Sequence, residues 1–124
     1  MNSTITRAAV IVYAIAIAMF GFNHFSQAIF IGQIVPDWLP GSGKVWAYIT
    51  GVLLILAALA FILNKYARLA GILLAIFLIL IALFIHLPQV LDADHGMLRV
   101  PALGQLQKDL AMAAGAILIA YREG

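Results

Sequence analysis

The sequence predicts an all-α protein, a bundle of four transmembrane helices, and three observations predict it. Of its 124 residues 65% are hydrophobic and only 10% charged, with a mean hydropathy of +1.10. A soluble domain is nearer half apolar and a quarter charged, so this chain has too little polar surface to cover a water-soluble fold. Four apolar stretches recur, at about residues 5–25 (with an extension toward 34), 44–63, 68–87 and 103–121. The third, from Leu69 to Ile85, has no polar residue at all. A helix apolar all round lies in lipid or in a core larger than a chain of this length can build.

The same totals exclude several functions. The length suits one domain. The net charge of +2 comes without a Lys/Arg cluster, which argues against nucleic acid as a partner and leaves the lipid bilayer. The chain has no cysteine, so disulfide exchange, Cys-ligated zinc or iron–sulfur clusters and covalent c-type haem are excluded.

The first stretch opens with Arg7 and runs from Ala8 to Phe22 without a charge. A signal peptide has this look, with Ala14-Ile15-Ala16 or Ala16-Ile17-Ala18 as cleavage sites. The apolar character continues past both, so a retained span is expected. It ends in Gly21-Phe22-Asn23-His24-Phe25-Ser26-Gln27. Pro36, Pro40, Gly41 and Gly43 then mark a rigid loop, with Trp38, Trp46 and Tyr48 suited to headgroup depth. Ser42 is placed to cap the second helix, whose one small polar side chain is Thr50. Asn64 to Arg68 form a short basic turn, and His86 and Pro88 close the third span. A loop over Gln89 to Ala102 carries Asp92, Asp94, His95 and Arg99, and reads as solvated. Small residues four apart (Ala14 and Ala18, Gly71 and Ala75, Ala111 and Gly115) allow close helix contact in lipid.

The fourth stretch, Leu103 to Tyr121, is the informative one. Its charge-free part, Leu110 to Tyr121, makes only about 18 Å of helix against a hydrocarbon core of about 30 Å. Gln105, Lys108 and Asp109 are then submerged, and a charge there costs on the order of 3 kcal/mol unless a partner relieves it. Four spans put both termini on one side, with Arg7, Lys65, Arg68 and Arg122 against Lys44, Arg99 and Lys108 on the other. The positive-inside rule makes the first side cytoplasmic.

Span direction then gathers the polar residues in the outer half of the bundle. His24 and His86 end two spans there, and Trp46, Tyr48, Thr50, Gln105, Lys108 and Asp109 begin the other two. Counting helical rise puts the histidines at headgroup depth and Asp109 about two turns deeper, with Lys108 reaching up. Lys108 and Asp109, as neighbours, point about 100° apart and should not neutralise each other. Asp109 is expected to find His24, His86, Thr50 or Tyr48, either as a tie between helices or as a ligand-binding or proton-handling group. Asn23 extends the cluster or caps its helix. No HxxxH spacing supports a metal or haem, and Gly41-Ser42-Gly43-Lys44 is not a phosphate loop.

Several pieces together, Gly21-Phe22-Asn23-His24-Phe25, Val35-Pro36-Asp37-Trp38-Leu39-Pro40, Thr50-Gly51, Phe84-Ile85-His86-Leu87-Pro88 and Lys108-Asp109-Leu110-Ala111, resemble the DoxX family of small bacterial membrane proteins. The resemblance implies four spans in a bacterial inner membrane and an association with quinol oxidation. One difference is that a glutamate frequent in that family after the glycine of helix two is missing from Gly51 to Ile55. Three functions follow as expectations. The chain is an accessory subunit of a larger membrane oxidoreductase or a bundle binding quinone or lipid; or a non-catalytic scaffold or homo-oligomer; or a channel or transporter component, which the greasy inner half disfavours. No catalytic motif marks it as an enzyme on its own.

Overall fold

The computed structural model describes residues 3–33, 35, 38–92 and 96–122. All regular structure among them is helical. The elements are α1 (Ser3–Ser26), a short α2 (Ala28–Gly32), α3 (Gly43–Leu63), α4 (Ala67–Ile81), a π-helical turn (Ala82–His86), α5 (Leu87–Asp92) and α6 (Gly96–Ala120). Helix α1 packs along α3 and α4 along α6, while α3 touches α4. Ile34, Pro36, Asp37, Asp94 and His95, all named above, lie outside the described residues.

Local chemistry sets the helix limits. Ser42 has extended backbone, and its Oγ accepts from the Val45 amide at 3.3 Å, so the expected cap is formed. Helix α3 stops at Asn64, which takes the left-handed conformation (φ 53°) and satisfies the Ala60 and Phe61 carbonyls. Tyr66 is also left-handed (φ 57°), so a three-residue reversal leads directly into α4.

The core holds Val10, Ala14 and Ile17 of α1, Leu54, Ala58 and Phe61 of α3, Leu74, Ala75 and Leu78 of α4, and Ala113, Ala116 and Ile119 of α6. Alanine dominates because these helices come very close. A Cβ on Gly51 would sit 2.9 Å from the Gly21 carbonyl oxygen, so only paired glycines permit this α1–α3 crossing. The expected small-residue pairing holds for buried Ala14, Gly71 and Ala75. It fails at Ala111, which is exposed.

The outward faces are greasy. Leu69, Leu73, Ile76, Leu80 and Leu83 are all about half exposed. Such a stripe is a liability in water and a normal surface in lipid. Three helices are long and apolar enough to cross a membrane: Ser3–Ser26, Gly43–Leu63 and Ala67–Leu91. They fit a multi-pass membrane protein. The sequence expectation of four is met only for three among the described residues. Helix α6 has the length, but Gln105, Gln107, Lys108 and Asp109 dilute its first half.

Two other boundaries differ from expectation. The third helix does not close at Pro88, and the described residues of the loop expected over Gln89 to Ala102 are helical. Helix continues to Asp92 and resumes at Gly96. Proline lacks an N–H and its ring meets the carbonyl four residues back. The chain answers with one wide turn, in which the Leu87 amide bonds to the Ala82 carbonyl five residues back. Pro88 then falls in the first turn of α5, where a missing N–H costs little.

Arginines lace the other end. Arg7 of α1 donates to the Phe61 (2.8 Å) and Ile62 carbonyls of α3. Arg68 of α4 donates to the Ala120 carbonyl of α6 at 3.2 Å. Arg122 donates to the Ile119 carbonyl at 2.6 Å and to Asn64 Oδ1 at 2.8 Å. These carbonyls lie in the last turns of α3 and α6, where few helical amides remain to pair them and cations suit the helix dipole. All four long helices are thus tied at the end where α1 begins and α6 stops.

Candidate functional site

At the opposite end a buried ionic cluster joins the π turn to α6. Asp109 is 2% exposed and His86 7%. His86 Nε2 lies 3.2 Å from Asp109 Oδ2, and Lys108 Nζ lies 3.6 Å from Oδ1. Lys108 also donates to Gln105 Oε1 at 2.5 Å and sits 4.4 Å above the centre of the Phe20 ring of α1. His86 Nδ1 is 3.3 Å from Gln89 Oε1, one turn on. His24 is within electrostatic range of both Lys108 and Asp109. Its Nδ1 donates to the Phe20 carbonyl at 2.7 Å.

The His86–Asp109 separation is short, yet the imidazole N–H is not aligned on the oxygen. Oδ2 is buried and no protein group among the described residues donates a hydrogen bond to it. The contact is a close approach, not a directed hydrogen bond. An acceptor left so in a low-dielectric interior costs about 1–3 kcal/mol.

The geometry changes two sequence expectations. His86 and Asp109 are not held two turns apart, since the imidazole touches the carboxylate. Side chains lean toward the N-terminus of their own helix. On antiparallel α4 and α6 that tilts His86 and Asp109 toward each other, which a count of helical rise leaves out. Lys108 and Asp109 do meet, despite diverging by about 100° at the backbone, because the four-carbon lysine stem curves back.

The nine sequence candidates separate into two groups and two outliers. His86, Lys108, Asp109 and Gln105 form the cluster, with His24 beside it. Trp46 and Tyr48 lie elsewhere. Trp46 Nε1 donates to the Pro40 carbonyl at 2.6 Å and so anchors the loop. Tyr48 stacks on Phe25, with centroids 5.9 Å apart and planes at 24°. No hydrogen bond joins Trp46, Tyr48 or Thr50 to the cluster among the described residues; Thr50 is half-buried on α3 and Asn23 is exposed.

Three contributors were not legible as site residues. Phe20 provides the ring under Lys108, and Gln89 faces His86. Tyr13 of α1 donates to the Met112 carbonyl of α6 and packs edge-on to Phe61 of α3 at 5.9 Å, joining three helices below the cluster. Its signal was available, since it is the one hydroxyl between Ala8 and Phe22. Among the described residues no three His, Cys, Asp or Glu side chains gather closely enough to hold a metal ion.

Fold and site together define a helical bundle with three membrane-compatible helices and a buried acid–imidazole–ammonium cluster at one end. Residues 13–120 match the family model of a domain of unknown function, DUF8561, and the chain belongs to that family. No curated protein and no solved structure matches it. The resemblance to the DoxX family is thereby corrected, because the family found over nearly the whole chain is a different one. The shared pieces were short, and Asn-His, Trp-Leu-Pro and Lys-Asp pairs suit the interfacial ends of any small helical membrane protein. The missing carboxylate after Gly51 was the sign against it.

Proposed function

We propose that this is a four-span protein of the cytoplasmic membrane, both termini cytoplasmic, whose ionic cluster binds the polar head of an apolar-tailed ligand of the quinone or lipid class. One observation carries the reading. A buried carboxylate oxygen with no donor among the described residues, Asp109 Oδ2, lies next to an ammonium, Lys108, whose side chain is one-third exposed. An acceptor and a donor side by side suit a head group that offers a hydroxyl to one and a carbonyl to the other, while the tail lies along lipid-facing helix. Quinol and quinone have those groups. The fourth span is α6, its charges relieved by His86 and by snorkelling of Lys108. The arginine-laced end supports the orientation. A chain that holds a quinone in this way hands it to a partner with redox centres, so a larger membrane oxidoreductase is the proposed companion.

The test is titration of a ubiquinone or menaquinone analogue into protein purified in mild detergent. Saturable binding is expected, weakened at least tenfold in Asp109→Asn and in Lys108→Ala. Binding that is absent, or equal in the three proteins, removes the proposal.

A second reading has its own observation. His86 and Asp109 close the contact between the π turn and α6, and the cavity described below is not beside them. The cluster then only fixes helix register in a scaffold or self-associating bundle. On that reading Asp109→Asn lowers thermal stability and changes no ligand binding.

A further inference from the structure

The sequence-level cluster lost Tyr48 to a different place, and that place is a cleft. Helix α2 folds back against the start of α3. A Cβ on Gly32 would lie 2.7 Å from the Lys44 amide nitrogen and 2.8 Å from the Gly43 carbonyl carbon, so the two glycines let backbone rest on backbone. Between this pinch and the end of α1 lies an open cleft of about 740 Å³, within the range of small-molecule sites. Its apolar walls include Phe25, Ile29, Phe30 and Tyr48. Its polar side carries Gln27, Gln33 and Lys44.

Charge selects the occupant. Among the described residues that line the cleft Lys44 is the one cation, and its Nζ rests 5.8 Å from the centre of the Tyr48 ring. No carboxylate among the described residues is within ion-pair distance of it. The two glutamine amides add neutral donors. A single anion at the mouth and hydrocarbon against exposed Ile29 and Phe30 is the chemistry of a phospholipid with net negative charge. The cleft opens at the end of the bundle away from the arginines, at the depth where α1 stops and α3 starts. It shares α1 with the ionic cluster but no residue, so it stands or falls separately from the quinone reading.

We propose that this cleft is a specific site for one anionic phospholipid, its phosphate on Lys44 and an acyl chain along Phe25, Ile29 and Phe30. The full chain is reconstituted in nanodiscs of phosphatidylcholine containing one-tenth phosphatidylglycerol, extracted in mild detergent, and its retained lipid measured by native mass spectrometry. Phosphatidylglycerol is expected to be retained preferentially, one per chain. Lys44→Ala should lower its retention about fivefold, Lys44→Arg should keep it, and Lys65→Ala at the opposite end should leave it unchanged. Equal retention of the two lipids, or unchanged retention in Lys44→Ala, overturns the proposal. Loss of the bound lipid on adding millimolar inorganic phosphate also overturns it, because that makes the cleft a site for free anions.

Discussion

At the residue scale the molecule depends on how a carboxylate is kept in an interior that excludes water. Asp109 has two oxygens with different surroundings: Oδ1 faces an ammonium 3.6 Å away, and Oδ2 faces an imidazole that is near but poorly aimed. Removing one member of a buried pair leaves the other uncompensated, which costs more than the pair itself contributes. His86→Ala and Asp109→Ala should each destabilise the protein by roughly 2–4 kcal/mol, and the double variant by less than their sum. A coupling below about 0.5 kcal/mol in detergent unfolding would show that the two side chains are neighbours without being partners. Tyr13 gives a simpler case. Tyr13→Phe keeps the ring against Phe61 and loses only the hydroxyl on the Met112 carbonyl, so about 1 kcal/mol is expected in the same measurement. A change as large as a core truncation would mean that the ring had moved as well.

At the element scale two helices are shaped by residues that usually end helices. Pro88 sets the wide turn of Ala82–His86. In Pro88→Ala the amide returns, the turn can close to ordinary α geometry, and everything before it rotates by up to about 100° relative to everything after. His86 then leaves Asp109. The expected readout is loss of the His86–Asp109 coupling when the double-mutant cycle is repeated in that background. A coupling that persists would mean that α4–α6 packing, not the proline, holds the turn. The α1–α3 crossing gives the second element-scale prediction. Gly51→Ala puts a methyl 2.9 Å from the Gly21 carbonyl oxygen and 3.0 Å from the Phe25 ring. An overpacked contact of this kind costs about 1–3 kcal/mol, and the melting temperature should fall accordingly. Gly104→Ala, where a Cβ meets nothing within 4 Å, is the neutral control.

At the scale of the whole molecule the prediction concerns sidedness. The chain has no cysteine, so single cysteines can be introduced and labelled one at a time. Cysteine at Ser3 and at Lys65 should react from the cytoplasmic side only, and cysteine at Ser42 and at Gln105 from the opposite side only. Labelling of Ser42 and Lys65 positions from one face would refute the spanning arrangement. Much of this layout was legible. Unbroken apolar runs give α1 and α3 to within about two residues and the start of α4, though not its end, and Ser42 announces its own cap. The histidine–carboxylate meeting was legible as a possibility, because an unrelieved charge in lipid demands a partner. What was not legible depended on three-dimensional lean and reach: that Lys108 curves back to its neighbour, that a proline widens a turn instead of ending a helix, and that Tyr48 serves a cleft rather than the cluster. Pattern reading assigns each residue to a depth and a side. It cannot tell which of several polar groups at one depth will share a contact, since that depends on helix rotations of tens of degrees.

The guanidinium lacing described for the terminal end has a mechanical corollary. Arg7, Arg68 and Arg122 each grip main-chain oxygen on a neighbouring helix, or side-chain oxygen just beyond one. Main-chain oxygen cannot swing out of the way as a side-chain acceptor can. When the four rods breathe, that seam acts as the fulcrum and the far rim, with its ionic cluster and its cleft, travels furthest. On the membrane reading proposed above, a guest entering sideways from the bilayer comes in near the rim, without unfastening the clasp.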